Sequence, residues 1–249
     1  MGRMKDRVGE KGINNFGSQM IILRYRGTYD MDVYFPQYDS VVSEVTYDRF
    51  LKGNVKCLYE PRVCGIGFLG EGKYDVQIHN EIYGTWKKMI QRGYSDVVKK
   101  RQRTYQDVSV CDEWHNFQNF AEWYENNYYQ VGNEKMHLDK DILHKGNNIY
   151  SPSTCIFVPE RINALFTKAN KMRGDCPIGV SKHQGKYQAS CNFGEGSRYI
   201  GLYESKENAF EMYKYTKENY IKQIADEYKS LIPNKLYNAL YKYEVEITD

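Results

Sequence analysis

Three short alternating segments run straight into one long amphipathic stretch, and that order constrains the fold more than any other feature of the chain. PIGVSKH (177–183), KYQASCNF (186–193) and YIGLYE (199–204) predict strands, joined by turns at QG (184–185) and GEGS (194–197). Ser205 is a fair N-cap for KENAFEMYKYTKENYIKQIADEYKSLI, where Phe210, Tyr213, Tyr220, Ile224, Tyr228 and Leu231 recur at helical spacing. Pro233 is read as its end, and NKLYNALYKY as a short helix packing back. A sheet face buried on a helix stripe makes a self-contained unit, starting near Gly174.

Upstream, QMIILRY (19–25), MDVYF (31–35) and VVSEVTY (41–47) predict strands separated by RGTYD and PQYDS, whose Gly, Pro and Asp favour turns. They suggest a small β-barrel-like module over residues 13–59, after a polar, frayed stretch 1–12. The middle part, 60–171, opens on GIGFLGEGKY (65–74), which lacks the G-K-[ST] of a phosphate loop and runs into strand-like VQIH, so a tight hairpin turn is expected. Helices follow at 83–94, with Trp86, Met89 and Ile90 on one face, and at 112–127, with Asp112 as N-cap and a stripe of Trp114, Phe117, Phe120, Ala121 and Tyr124. Between them VVKKRQRTY (97–105) gathers Lys99, Lys100, Arg101 and Arg103, either a solvated loop or a phosphate-contacting patch. The fold class is therefore α+β, in several modules.

Charge does not choose a partner, because 35 Lys+Arg against 32 Asp+Glu leave only +3; distribution must decide. Six cysteines without a C-x-x-C pair indicate reduced, mostly buried thiols. No apolar run approaches the roughly 20 residues of a membrane span, and the charged MGRMKDRVGEKG start lacks a secretory apolar stretch, so a cytoplasmic protein is expected.

Two resemblances add function. IGV (178–180), KYQA (186–189), YIGLYES (199–205) and then Glu207, Ala209 and Tyr213 resemble the APETALA/ethylene-response-factor type DNA-binding domain over roughly 60 residues. That family lays its three-stranded sheet in the major groove. The resemblance implies a DNA face of Ser181, Lys182, His183, Lys186, Gln188, Ser190, Asn192, Arg198 and Tyr199, with fewer arginines than plant members carry. Lys/Arg with Gln/Asn suits phosphates and base edges.

The stretch HLDKDILHKGNNIYSPSTCIFVPERINALF (137–166) resembles the HNH (ββα-metal) proteins of phages, many of them homing endonucleases, and the likeness extends over residues 63–170. By position, Asp139 and Asn163 match the residues that hold Mg²⁺ or Mn²⁺. Lys140 falls where the general-base histidine should stand, and Ser153 or Thr154 where the orienting Asn should. A lysine is charged at neutral pH unless burial depresses it strongly. His137, on the same strand face as Asp139, and His144 in the loop are replacement bases, and Asp141 is either a second ligand or a turn residue.

Three functions result. The first is a double-stranded DNA-binding protein of phage or mobile-element type, located in the host cytoplasm, in which the sheet, the 99–103 cations and the HNH-like module grip one duplex. The second is a metal-dependent nicking or homing endonuclease. The third is a phage-encoded factor that engages a host protein through its tyrosines, of which the chain has 24.

Overall fold

A computed structural model of the chain describes residues 6–166, 175–194 and 196–247. Gly174, Glu195 of the GEGS turn and the ends of the N- and C-terminal segments named above lie outside them. The chain divides into two compact units, Met1–Asn126 with Ile149–Ser151, and Asn127–Asn148 with Pro152–Asp249. The sequence boundary at 59/60 falls inside the first unit, and the part read as 60–171 is shared between both.

In the first unit, β1 (Lys11–Ile13), β2 (Gln19–Gly27), β3 (Asp30–Phe35) and β4 (Ser40–Val45) form an antiparallel sheet in sequence order. It is an open meander rather than a barrel. Strand alternation sends Met20, Ile22, Met31, Val33 and Phe35 to one side, where Phe50 of α1 (Tyr47–Leu51) closes the core. Each such fully buried side chain contributes roughly 1.5–3 kcal/mol. Residues 7–10 of the segment expected to fray are tied down: Gly9 N and Glu10 O bond to β2, and the Arg7 guanidinium lies 3.9 Å over the Tyr47 ring. Buried Glu60 accepts from Asn14 Nδ2 at 2.8 Å and from Ser18 Oγ, and pairs with Arg62 at 3.1 Å. The supposed start of the middle part thus belongs to the N-terminal sheet.

Residues 76–79 are turns, not the expected strand, because Asp75 Oδ1 accepts from Gln77 N and Ile78 N, and Asp75 O from His79 N. They lead into α2 (Asn80–Tyr94), which buries Trp86, Met89 and Ile90. The 97–103 stretch is helical rather than loop: α3 (Asp96–Arg101) starts at Ser95, whose Oγ accepts from Val98 N. β5 (Ser109–Val110) pairs in parallel with the strand Ile149–Tyr150. The second predicted helix is broken. A 3-10 turn covers Asp112–His115, exposed Asp112 caps nothing, and α4 (Phe117–Asn127) begins after Asn116, whose Oδ1 accepts from Gln118 N. The aromatic stripe nonetheless packs as expected, with Trp86 Nε1 donating to Trp114 O at 2.7 Å and the Trp114 and Phe120 rings 5.1 Å apart.

The second unit opens with β6 (Met136–Asp139); β7 is the Ile149–Tyr150 strand already placed in the first. β6 pairs antiparallel with β8 (Ile156–Pro159), followed by α5 (Glu160–Leu165). Then come β9 (Val180–His183), β10 (Lys186–Asn192) and β11 (Ser197–Tyr203), an antiparallel sheet in the order β11-β10-β9. α6 (Lys206–Tyr228) is capped by Ser205, whose Oγ accepts from Asn208 N, and it ends before Pro233, which is the N-cap of α7 (Asn234–Tyr241).

α6 changes the domain picture. Its first half buries Ala209, Phe210 and Tyr213 against Val180, Ala189 and Cys191 of the sheet. Its second half buries Ile221, Ile224, Ala225 and Tyr228 against Val131, Ile156, Val158, Ile162 and Leu165, with Leu236 and Leu240 of α7. The sheet-and-helix unit is therefore not self-contained, since one helix is the spine of both cores. Leu231, expected in the stripe, is 52 % exposed. Gly179, at φ +74°, is where the sheet meets the helix most closely: a Cβ there would lie 2.1 Å from the Tyr213 ring. Only three of the six free cysteines are buried (Cys57, Cys155 and Cys191). Among the described residues no helix is long and apolar enough to cross a membrane.

Candidate nucleic-acid interface

Register decides which residues of the C-terminal sheet face outward. Ala189 pairs with Val180 and Gly201, and buried Ala189, Val180 and Cys191 mark the side packed on α6. Alternation then puts Ser181, His183, Lys186 and Gln188 on the opposite, open face, with Asn192 at its end. A bulge between Ala189 and Ser190 resets β11, so that Tyr199, 64 % exposed, joins them. Lys182 pairs with Tyr187 and Arg198 with Cys191, which places both on the helix side, reaching solvent only from its edge. The Arg198 guanidinium lies 5.4 Å over the Phe193 ring. The expected DNA face thus loses its two best cations to the flanks.

Polar groups on the sheet differ in what they have left to offer. Lys186 is paired with Glu204, and Asn192 Oδ1 accepts from Gly194 N at 2.8 Å. The side chains of Ser181, Lys182, His183 and Gln188 have no described partner. No acidic residue occurs in any of the three strands.

The basic cluster of the first unit is similarly divided. Lys99 Nζ donates to Gln106 O at 2.9 Å and Val108 O at 3.4 Å, closing the turn behind α3, and so is not an open phosphate contact. Lys100, Arg101 and Arg103 are exposed and carry no ion pair among the described residues. Three cations at the C-terminal end of α3 also complement its dipole.

The HNH-like segment has the strand-loop-strand-helix order that the resemblance implies, but its loop uses its own polar groups. Asp139 Oδ1 accepts from Asp141 N at 2.9 Å and Ile142 N at 2.7 Å, a side-chain-closed turn. Lys140, 8 % exposed, donates from Nζ to Asn147 O at 2.9 Å and to Asp141 Oδ2 at 3.2 Å, while Asn147 Nδ2 returns a bond to Lys140 O at 2.7 Å. That ammonium is a structural clamp, with no lone pair to take a proton. Desolvation, and behind it the Asp141 charge, push the half-buried Asp139 carboxyl up to about 6.

The other proposed participants stand apart from that clamp. His137 Nε2 lies 3.8 Å from Glu160 Oε1, and His144 is exposed. Asn163 sits on α5, which starts beside Met136, three residues along β6 from Asp139. Among the described residues no three His, Cys, Asp or Glu side chains gather as metal ligands. A divalent ion at Asp139 would meet a carboxyl whose ionisation burial disfavours. With Oδ1 taken by two backbone amides and its charge disfavoured, Asp139 is a weak ligand for Mg²⁺ or Mn²⁺.

Sequence reasoning missed Asn147, which locks the loop from seven residues beyond Lys140; the D-K-D-I run was the signal for a side-chain-closed turn. It also missed Lys217, buried on α6 inside a helical stripe where nothing marked it. Comparison with protein-family models, with curated proteins and with solved structures finds no match for this chain.

Proposed function

We propose that the chain binds double-stranded DNA through the open face of β9–β11, with Lys100, Arg101 and Arg103 of the first unit as a separate phosphate-contacting patch. The observation that carries this reading is a three-stranded sheet with one face buried by α6 and the other bare, its strands free of acids and its Ser181, His183 and Gln188 side chains without a described partner. A narrow antiparallel ribbon fits the major groove, where Gln, Asn and His side chains reach base edges. Lys182 and Arg198, projecting from the flanks, are placed for the phosphates on either side of the groove. With so few cations, base edges and sugars take a larger share of the contact than in an arginine-rich reader.

The test is fluorescence anisotropy of a labelled duplex with the full chain and a His183→Ala/Gln188→Ala/Tyr199→Ala variant. Expected is an affinity about tenfold or more lower for the variant, at the 1–3 kcal/mol that a lost base contact costs. Equal binding by both proteins, or none by the wild type, overturns the proposal.

The strand-loop-strand-helix order at 136–165 supports phosphodiester cleavage as a second reading. Plasmid nicking with Mg²⁺ or Mn²⁺, abolished by Asp139→Ala, would establish it; no nicking by the wild type removes it.

A further inference from the structure

We propose that a cavity in the second unit, between α5, the edge of β10 and α6, is a binding site for an aromatic carboxylate anchored by Lys217. The cavity measures about 790 Å³, within the range of small-molecule sites. It shares only Asn192 with the DNA reading, whose other contacts, Ser181, His183, Gln188 and Tyr199, do not line it.

Lys217 is the unusual feature. It is 9 % exposed, lines the cavity, and has neither hydrogen bond nor ion pair among the described residues. Burying an ammonium without a partner is costly, and a group so placed is stabilised by an anion from outside. Glu134 and Glu160 line the cavity as well, and the acids nearby face groups other than Lys217. Glu218 pairs with Lys214 at 3.5 Å and accepts from Val245 N at 2.8 Å. Glu134 accepts from Tyr228 Oη and from Arg161 N, and Glu160 stands beside His137. None of them neutralises Lys217.

The walls specify the rest of the ligand. Tyr213, Tyr220, Phe166 and Tyr243 line the cavity, and the Phe166 and Tyr243 rings meet edge to face at 4.7 Å. Tyr220 Oη is spent on Phe193 O at 2.6 Å, so its ring presents an apolar surface. Aromatic walls favour a flat ring that stacks or meets them edge-on. Arg161 also lines the cavity, but its guanidinium is paired with Glu227 at 2.7 Å and lies over the Tyr228 ring, and the one remaining ammonium suits a monoanionic carboxylate, whereas a phosphate dianion calls for more donors. Ser190 and Asn192, at the β10 edge, add a hydroxyl and an amide for the carboxylate's second oxygen.

The test uses 2-naphthoate and the uncharged 2-naphthamide, titrated into the full chain by isothermal calorimetry and saturation-transfer NMR at neutral pH. Expected is saturable naphthoate binding with Kd below about 1 mM, and amide binding at least about fivefold weaker, because the charged contact is lost. Lys217→Met, which keeps the packing volume, should weaken naphthoate about tenfold. Ala164→Phe, at an exposed position of the cavity lining, should block it while leaving Lys217 in place. Naphthoate and amide binding alike, undiminished binding in both variants, or no saturable naphthoate binding overturns the proposal. Loss of DNA binding with naphthoate binding intact, or the reverse, separates this site from the sheet face.

Discussion

The loop after β6 and the sheet of β9–β11 are built from similar residues, Lys, His, Asn and Asp or Gln, yet they dispose of them in opposite ways. In the loop, Asp139, Lys140, Asp141 and Asn147 satisfy one another and the backbone. On the sheet, Lys182, His183 and Gln188 reach no described partner. A polar side chain closed within its own loop stabilises that loop and has little left for a ligand, while one left open on a rigid strand has paid little for its exposure and is available. The same residue types therefore mark architecture in one place and, on the reading we propose, recognition in the other, and the hydrogen-bond partners distinguish them.

The largest expected effect tests whether the two regions are one body. Ile224 is fully buried on the half of α6 that packs under the loop-bearing hairpin. Ile224→Ala should cost about 2–5 kcal/mol, and chemical denaturation of the second unit should stay a single transition for the hairpin and the sheet. Two transitions would separate them. Gly179→Ala attacks the sheet end of the same helix: a Cβ at 2.1 Å from Tyr213, added to a positive φ, should cost about 2–3 kcal/mol.

Smaller effects sharpen the contrast. Lys140→Met removes the clamp and should cost about 1–3 kcal/mol with DNA affinity unchanged, read by urea titration beside anisotropy. Asp139 behaves in the opposite sense, because its folded-state pKa is raised, not lowered. Its ionisation costs stability as pH rises from about 4, its unfolded value, to about 6, and the cost persists above. Asp139→Asn keeps the acceptor for the Asp141 and Ile142 amides, so it should stabilise by on the order of 1 kcal/mol at neutral pH and make no difference below about pH 4. A thermal-unfolding series across that range reads it. His183→Ala and Gln188→Ala should change stability by less than about 0.5 kcal/mol, since neither side chain holds a described partner.

Periodicity made the strands, α2 and α6 legible, because a stripe of Phe210, Tyr213, Tyr220, Ile224 and Tyr228 announces a buried helix face. It does not say what covers that face. The two halves of the stripe meet different cores, a long-range fact with no local signal. The break at Asn116 escaped for a related reason: Trp114 and Phe117 keep helical spacing across it, and only the Asn116 side chain bonding to Gln118 N ends the first turn. At the candidate site the three strands were legible, but the faces of Lys182 and Arg198 depend on strand register and on a bulge. Lys140 was marked by its place in a motif, and its role by a carbonyl seven residues away.

The central claim, that the open sheet and the α3 cations contact DNA, is tested most directly by the salt dependence of duplex binding. Lys182, Lys186 and Arg198 together with Lys100, Arg101 and Arg103 are the cations of these elements, Lys186 reaching a phosphate only by leaving Glu204. If about three to six of them are engaged, log K should fall against log salt with a slope of about −3 to −5. The slope should become shallower by about 2–3 when Lys100, Arg101 and Arg103 are replaced by Gln. A complex insensitive to salt, or no complex with duplex DNA at low salt, would contradict it.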